Sequence, residues 1–228
     1  MAAGEKMDMT WDEHYHRCRE ARGDEVYLRI QAARKRVAQN NPEDWEWLRT
    51  SLGDAERKWF VAAVFQFQPV PKRLVEPMLR AAVLERNPSR NRVFIDPCVR
   101  TYGTKRVCTK LLAYLETGSN EEIAGAASAF YWAWRPQPGE DVAELRTRIR
   151  AAMLQTFVRN EDLQVRRRII PQLILEPGAY SDELRPLVRN AIEIARAHPD
   201  AYIRHRVEVQ LGAGGPYKAI PDTDKKGR

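Results

Sequence analysis

Three features are scarce or missing in this chain of 228 residues. It has only three cysteines, Cys18, Cys98 and Cys108, and no Cys-x-x-Cys pair, which argues against a disulfide framework and favours a reducing compartment. Its longest apolar run, residues 59–65, is far shorter than the roughly 20 residues that cross a bilayer. The amino terminus carries charges where a signal peptide needs an apolar segment. We therefore expect a cytoplasmic protein with no membrane span.

Signatures of a cofactor or metal site are also missing from the sequence. The glycines at 212–215 follow a predicted helix and do not join a strand to a helix, as a phosphate-binding loop requires. His14, His16 and Cys18 include residue types that bind zinc, but on a helix only His14 and Cys18 share a face. No Ser or Cys has a base nearby at a spacing that would indicate a catalytic nucleophile and its general base. We predict no metal, no cofactor and no catalytic residue.

Sustained alternation of apolar and polar residues, the mark of a strand, is absent as well, so the chain is predicted to be all-α. Helix-start signals are abundant: 10–13 and 119–122 have the pattern of capping boxes. Further residues suited to accept from free backbone N–H groups at a helix start are Asp54, Ser89, Asp162, Ser181 and Asp200. Glycines that fall where apolar periodicity stops are Gly23, Gly53, Gly103, Gly118, Gly139, Gly178 and Gly212.

These signals divide the chain into helix pairs. The predicted pairs are 10–22 with 25–39, 43–52 with 54–68, 72–86 with 89–101, 104–116 with 120–134, 142–158 with 161–175, and 181–197 with 200–211. Successive second helices begin roughly 30–40 residues apart, which is typical of a helix-pair repeat. We predict one domain over 1–211, with divergent pairs at 10–68 and clearer repeats at 72–211. Residues 212–228 are predicted to form a flexible tail.

The segments DLQVR (162–166) and DAYIR (200–204) each open a second helix, and both resemble the HEAT-repeat family. The segment DAERK (54–58) is a looser match, whereas 120–124 lacks the arginine. The resemblance covers about two-thirds of the chain and is clear in the last two pairs. It implies an armadillo-like α-solenoid, or superhelix, of about six antiparallel helix pairs whose second helices line a concave surface. Members of this family usually hold other macromolecules and do not catalyse reactions.

Positive charge exceeds negative charge by 7, which favours acidic partners. If the second helices face inward, a stripe of basic residues lies on the concave surface, including Arg90, Arg100, Arg166 and Arg204. The resemblance implies that Arg166 and Arg204 tie neighbouring repeats together through the Asp of the motif. The residues predicted to bind a partner are Arg57, Lys58, Arg92, Arg167, Arg168 and Arg206, together with the aromatic Tyr131, Trp132 and Trp134.

The aromatic run 130–134 places four rings near the end of one second helix. Trp and Tyr are common anchors of binding interfaces, although packing in the core is their more ordinary use. Four rings in five residues do not share one helix face, so we expect at least one of Tyr131, Trp132 and Trp134 to be partly exposed.

Two functions from different classes follow from these patterns. The first is a non-enzymatic scaffold or adaptor whose concave basic and aromatic face holds an acidic or amphipathic protein partner. The second is nucleic-acid binding, including activity like that of alkylpurine DNA glycosylases, which are built from HEAT-like pairs and use an Asp near Trp residues. Asp96 is the acid best placed for that role, but Pro97 follows it and favours a capping or turn position instead.

Overall fold

The computed structural model describes residues 9–37 and 42–212, and these residues form α-helices with no β-strand. The prediction of an all-α chain is therefore confirmed for this part of the protein. Two short 3-10 helices, Ile170–Gln172 and Pro177–Ala179, accompany the α-helices. The α-helices are α1 (Trp11–Glu20), α2 (Asp24–Val37), α3 (Pro42–Ser51), α4 (Arg57–Phe65), α5 (Lys72–Val83), α6 (Arg92–Thr117), α7 (Asn120–Ala133), α8 (Ala143–Arg159), α9 (Leu163–Ile169), α10 (Arg185–Ala197) and α11 (Ala201–Gly212).

Helix α6 is interrupted at Gly103, whose φ of 79° and ψ of 163° are not helical. A positive φ is readily adopted by glycine because it has no Cβ. The interruption separates a helical stretch at 92–102 from one at 104–117, close to the predicted helices 89–101 and 104–116. The helices of the described chain therefore lie near the predicted ones, with differences in their bounds. The predicted tail lies outside the described residues, apart from Gly212, which ends α11.

The described helices fall into two compact units, the first ending at Gly103. In this unit α2 contacts α4, and α3 contacts both α4 and α5. Its core contains large side chains with almost no exposure to solvent, and the Trp11 and Trp47 rings stack with their centroids 5.8 Å apart. Fully buried side chains of this unit include Leu48, Phe65, Leu74, Met78, Leu79 and Phe94.

The second unit begins at Thr104 and contains the rest of α6 and α7 to α11. In this unit α9 contacts both α7 and α11, and α8 contacts α10. The Nδ2 of Asn160, just before α9, donates to Oδ1 of Asn120 at the start of α7 (2.8 Å). Past the end of α9, Gln172 donates to the carbonyl of Ala127, farther along α7. Helices α7 and α9 therefore run parallel, with their starts side by side.

At most of the predicted helix starts, the side chain predicted to cap the helix does accept hydrogen bonds from its first backbone N–H groups. Thr10 and Ser119 both complete capping boxes, with Glu13 and Glu122 respectively. Asp54, Asp162 and Asp200 accept hydrogen bonds from backbone N–H groups at the starts of α4, α9 and α11. The predictions for Ser89 and Ser181 are wrong: α6 begins at Arg92 and α10 at Arg185, and neither serine side chain caps them.

Proline explains a further difference between prediction and structure. The second helix of the fifth pair was expected to reach residue 175, but α9 ends at Ile169 and continues only as the 3-10 turn Ile170–Gln172. Pro171 lacks an N–H group and its ring clashes with an α-helical backbone. By contrast, Pro97 is accommodated inside α6, so Asp96 lies within a helix and the predicted capping or turn role for it is wrong.

Among the described residues, no helix is both long enough and apolar enough to cross a bilayer.

Candidate binding surfaces

Arg57, the first of the predicted binding residues, is engaged within the first unit. Its guanidinium forms an ion pair with Asp12 at 3.1 Å. The same group lies over the rings of Tyr15 and Trp47, with distances to the ring centroids of 5.6 and 5.5 Å. Such cation–π contacts stabilise a charge that is partly withdrawn from water. Arg57 thus joins α4 to the segment containing α1 and to α3.

The other two predicted binding residues of this unit are also paired with acids. Lys58 donates from Nζ to Glu85 at 2.8 Å, and both side chains are largely buried. The Lys58 ammonium lowers the pKa of Glu85 against the opposing effect of burial. Arg92 pairs with Asp96 at 2.7 Å, one helical turn away. The predicted basic stripe therefore has its charge largely offset by acids in the first unit.

Two more arginines of this unit donate hydrogen bonds to backbone carbonyls at the carboxyl end of α4. The last carbonyls of a helix have no partner within the helix and attract cations. Arg34 donates to the carbonyls of Val64 (3.0 Å) and Ala63 (2.8 Å), while Arg100 donates to those of Phe65 (3.5 Å) and Gln66. Arg100, expected to lie in the basic stripe, thus stabilises the fold.

In the second unit, Arg167 makes the contact with Asp200 at the start of α11 that was expected of Arg166. Its Nη2 lies 2.6 Å from Oδ2 of Asp200, and the Asp200 carboxylate also accepts from the backbone N–H of Ile203. Hydrogen bonding from Arg167 holds the pKa of Asp200 below its usual range. Asp200 therefore caps α11 and binds α9 at the same time, and Arg167, predicted to bind a partner, is engaged in this ion pair with its side chain 40% exposed.

Arg166 and Arg204 are structural, as expected, but not through the Asp of the motif. Arg166 donates from Nε to the carbonyl of Phe157 at 3.4 Å. Arg204 donates to the carbonyls of His198 (2.6 Å) and Pro199 (2.7 Å), in the turn between α10 and α11. Both arginines thereby satisfy carbonyls at the ends of preceding helices.

Arg168 and Arg206 are half-buried on α9 and α11. The carbonyl of Arg168 accepts from Gln172, the residue that also reaches α7. The Nε of Arg206 is buried and has no hydrogen-bond partner in the part of the chain described. These two residues remain candidates for binding, with part of each side chain accessible.

The aromatic run divides between core and surface. Phe130 is buried, whereas Tyr131 is 70% exposed, which confirms the expectation of at least partial exposure. The rings of Tyr131 and Trp132 meet edge to face with centroids 4.8 Å apart. Trp134 ends the helix and carries the Arg146 guanidinium over its ring at 5.7 Å. Tyr131 and the half-buried Trp132 therefore form an aromatic pair on α7 that is accessible mainly at Tyr131.

His14 and His16, two of the residues considered as metal ligands, pack against different aromatic rings. His14 is buried against Trp11 and His16 packs on Tyr15, with ring centroids 6.0 and 5.3 Å apart. Burial lowers the pKa of His14 and raises that of Cys18. Within residues 9–37 and 42–212, no group of three or more His, Cys, Asp or Glu side chains is arranged to hold a metal ion.

A groove of about 510 Å³ lies on the first-helix side of the second unit. Apolar side chains from α6, α7 and α8 line it, together with polar side chains from α6, from α8 and from the residue after α8. Arg148 on α8 lies 3.7 Å from Glu116 at the groove. The apolar part consists of Leu115, Ile123, Ala151 and Ala152. The polar part consists of Glu116, Arg148, Gln155, Thr156, Arg159 and Asn160.

No protein-family model, curated protein or solved structure matches the chain significantly.

The groove was not anticipated from the sequence, although a signal for it exists. Residues 148, 151, 152, 155, 156 and 159 recur at the three- and four-residue spacing of one helix face. On this face, two alanines lie between longer polar side chains. The short alanine side chains leave a depression between the longer ones.

Proposed function

We propose that this chain is an α-solenoid of about six antiparallel, HEAT-like helix pairs. The arrangement of the second unit supports this, because α7 and α9 run parallel and α11 follows as the next neighbour. The ion pair of Arg167 with Asp200 ties one second helix to the next. Gln210 on α11 extends the series by donating to the carbonyl of Ile170 at 3.0 Å. Stacked pairs of this kind bury a continuous core while keeping surfaces exposed for binding.

The proposed function is non-enzymatic binding of an acidic or amphipathic protein partner. The observation that carries it is the aromatic pair on α7, in which the exposed ring of Tyr131 packs edge to face on the half-buried ring of Trp132. A large, rigid ring loses little conformational entropy when it is buried by a partner, so such rings are frequent anchors of interfaces. Arg168 and Arg206, each half-buried on the neighbouring second helices, would supply the attraction for acidic groups.

The catalytic alternative, a glycosylase-like enzyme, has weaker support. Asp96 pairs with Arg92 at 2.7 Å, which stabilises the carboxylate in a structural role. The Trp-Trp-Asp arrangement of the alkylpurine glycosylases is also missing, since Trp132 and Trp134 are followed by Arg135. Nucleic-acid binding without catalysis is the remaining alternative, and the dependence of binding on salt separates it from protein binding.

A pull-down from the native source, repeated after nuclease treatment, tests this function. The double variant Tyr131→Ala/Trp132→Ala should weaken binding of the recovered protein at least about tenfold, because truncating interface anchors commonly costs more than 1 kcal/mol. Tyr27→Ala is the matched control, since Tyr27 is also well exposed (59%) but lies on α2.

The outcome that contradicts the proposal is equally specific. Binding that disappears with nuclease and weakens log-linearly with salt would identify a nucleic-acid ligand instead. Equal affinity of the double variant and the unmodified protein for the recovered partner would remove the aromatic pair from the binding surface.

A further inference from the structure

The groove of the second unit has the shape and chemistry of a second binding site, separate from the aromatic pair. Its volume of about 510 Å³ lies within the roughly 300–1,000 Å³ that is usual for ligand sites. Ala151 and Ala152 keep its floor low, and the buried Leu115 and Ile123 make the floor apolar. Long polar side chains of α8 stand at both ends of this floor. The floor therefore suits apolar parts of a ligand, and the ends suit polar parts.

The arginines at the two ends of the groove, Arg148 and Arg159, have no acidic partner within hydrogen-bonding distance among the described residues. Arg159 is exposed, and its guanidinium makes no hydrogen bond or ion pair within the described residues. Arg148 is exposed and is 3.7 Å from Glu116, a distance at which exposed charges attract only weakly. This contrasts with Arg57, Arg92 and Arg167, whose guanidinium groups lie 2.6–3.1 Å from acids. Carboxylates are natural ligands for both groove arginines because guanidinium and carboxylate groups form paired hydrogen bonds.

The spacing of the arginines sets the length of the ligand. They are 11 residues apart on one helix, which corresponds to about 16 Å at 1.5 Å per residue. An extended peptide covers that distance in about five residues at 3.3 Å each. Between the arginines, Gln155 and Thr156 offer an amide and a hydroxyl that make no side-chain hydrogen bond with the described chain. These groups are positioned to bind the backbone of an extended segment.

We infer that this groove binds an extended acidic peptide segment with two carboxylates about five residues apart. The inference concerns a different surface from Tyr131 and Trp132 and does not depend on them. A nucleic acid fits less well, because it carries a charge on every nucleotide and only two arginines line the groove. A peptide tolerates Glu116, since a carboxylate accepts hydrogen bonds from backbone N–H groups.

Selection from hexapeptide display libraries tests the inference with defined probes. One library has Glu at positions 1 and 6 and four random central positions, and a second library has Gln at positions 1 and 6. On the immobilised full chain, the Glu library should be enriched at least about tenfold over the Gln library. A 12-nucleotide oligothymidine serves as the nucleic-acid probe under the same conditions.

Variants of the full chain connect the enrichment to the groove. Arg159→Glu and Arg148→Glu should each abolish the advantage of the Glu library, because each replaces attraction with repulsion. Arg189→Glu makes the same change of charge at an exposed position of α10 outside the groove and should leave the enrichment intact. Ala152→Trp should also abolish it, by filling the floor without changing charge; retained helical circular dichroism shows that the variant folds.

Three results would overturn the inference: equal enrichment of the two libraries, equal loss in Arg189→Glu and Arg159→Glu, or tighter binding of the oligothymidine than of the selected peptides. The Tyr131→Ala/Trp132→Ala variant should select the same peptides as the unmodified protein. Loss of the native partner by that variant, with retained peptide selection, would therefore separate the two surfaces experimentally.

Discussion

His14 is a buried residue whose protonation state is set by its surroundings. Burial in the first unit, together with the positive charges of Arg36 and Arg17, lowers the pKa of His14 below its ordinary value of 6.5. The unfolded chain therefore takes up a proton at a higher pH than the native protein does. The contribution of His14 to stability is complete above pH 6.5 and is lost as the pH falls through 6.5 towards the native pKa.

We predict that the free energy of unfolding falls on acidification from about pH 7.5 to about pH 5.5, and that His14→Gln reduces this fall. Urea denaturation across the pH range measures it. His198 adds to the fall in the same direction, because burial and Arg166 lower its pKa as well. The control is His205→Gln, which alters an exposed histidine on α11. A fall in His14→Gln as steep as that in the control, or steeper, would contradict the assignment.

At this scale, the sequence identified which residue types matter but not their partners. Arg167 was expected to face a ligand, yet it binds Asp200, 33 positions farther along the chain. Lys58 binds Glu85, which is 27 positions away. Such pairs arise from tertiary packing, and periodicity within one helix contains no information about them. Exposure of the aromatic run was predictable, because the constraint there is local: four rings in five residues do not fit one helix face.

At the scale of the element, helix starts were predictable where a side chain caps its own helix. The side chain of Asp162 accepts from the backbone N–H groups of Gln164 and Val165, at 2.8 and 2.9 Å. Ser89 occupies an equivalent place in the sequence pattern but caps no helix, since α6 begins three residues later. The end of α9 differs from the predicted end at residue 175 because Pro171 disrupts the helix, an effect that is purely local.

We predict that Asp162→Ala lowers the free energy of unfolding by about 1 kcal/mol, the usual cost of losing an N-cap. Asp200→Ala should have a larger effect, because the same carboxylate also binds Arg167. Ser89→Ala should leave stability unchanged within measurement error. Urea denaturation of the three variants measures their free energies of unfolding and so gives the order of the three effects. A loss in Ser89→Ala equal to that in Asp162→Ala would show that the two residues have the same role.

At the scale of the whole molecule, the described contacts are concentrated within two units that divide after Gly103. The prediction of one continuous domain over 1–211 can therefore be examined through the cooperativity of unfolding. Each unit contains a buried thiol near the division: Cys98 in the first unit and Cys108 in the second. Burial raises the pKa of both thiols to about 12, so neither reacts readily in the native protein. Their rates of alkylation report unfolding of the two units separately.

We predict that Asp44→Asn accelerates alkylation of Cys98 much more than that of Cys108. Asp44 pairs with Arg36 at 2.6 Å inside the first unit, and both side chains are largely buried. Loss of the charge leaves Arg36 without a counterion and costs about 3 kcal/mol, which corresponds to an acceleration on the order of 100-fold. Mass spectrometry of a Cys18→Ser background measures each site, with Glu46→Gln, in an exposed ion pair, as the control. Equal acceleration at both thiols would mean that the units unfold as one cooperative array, as tightly coupled neighbouring repeats do.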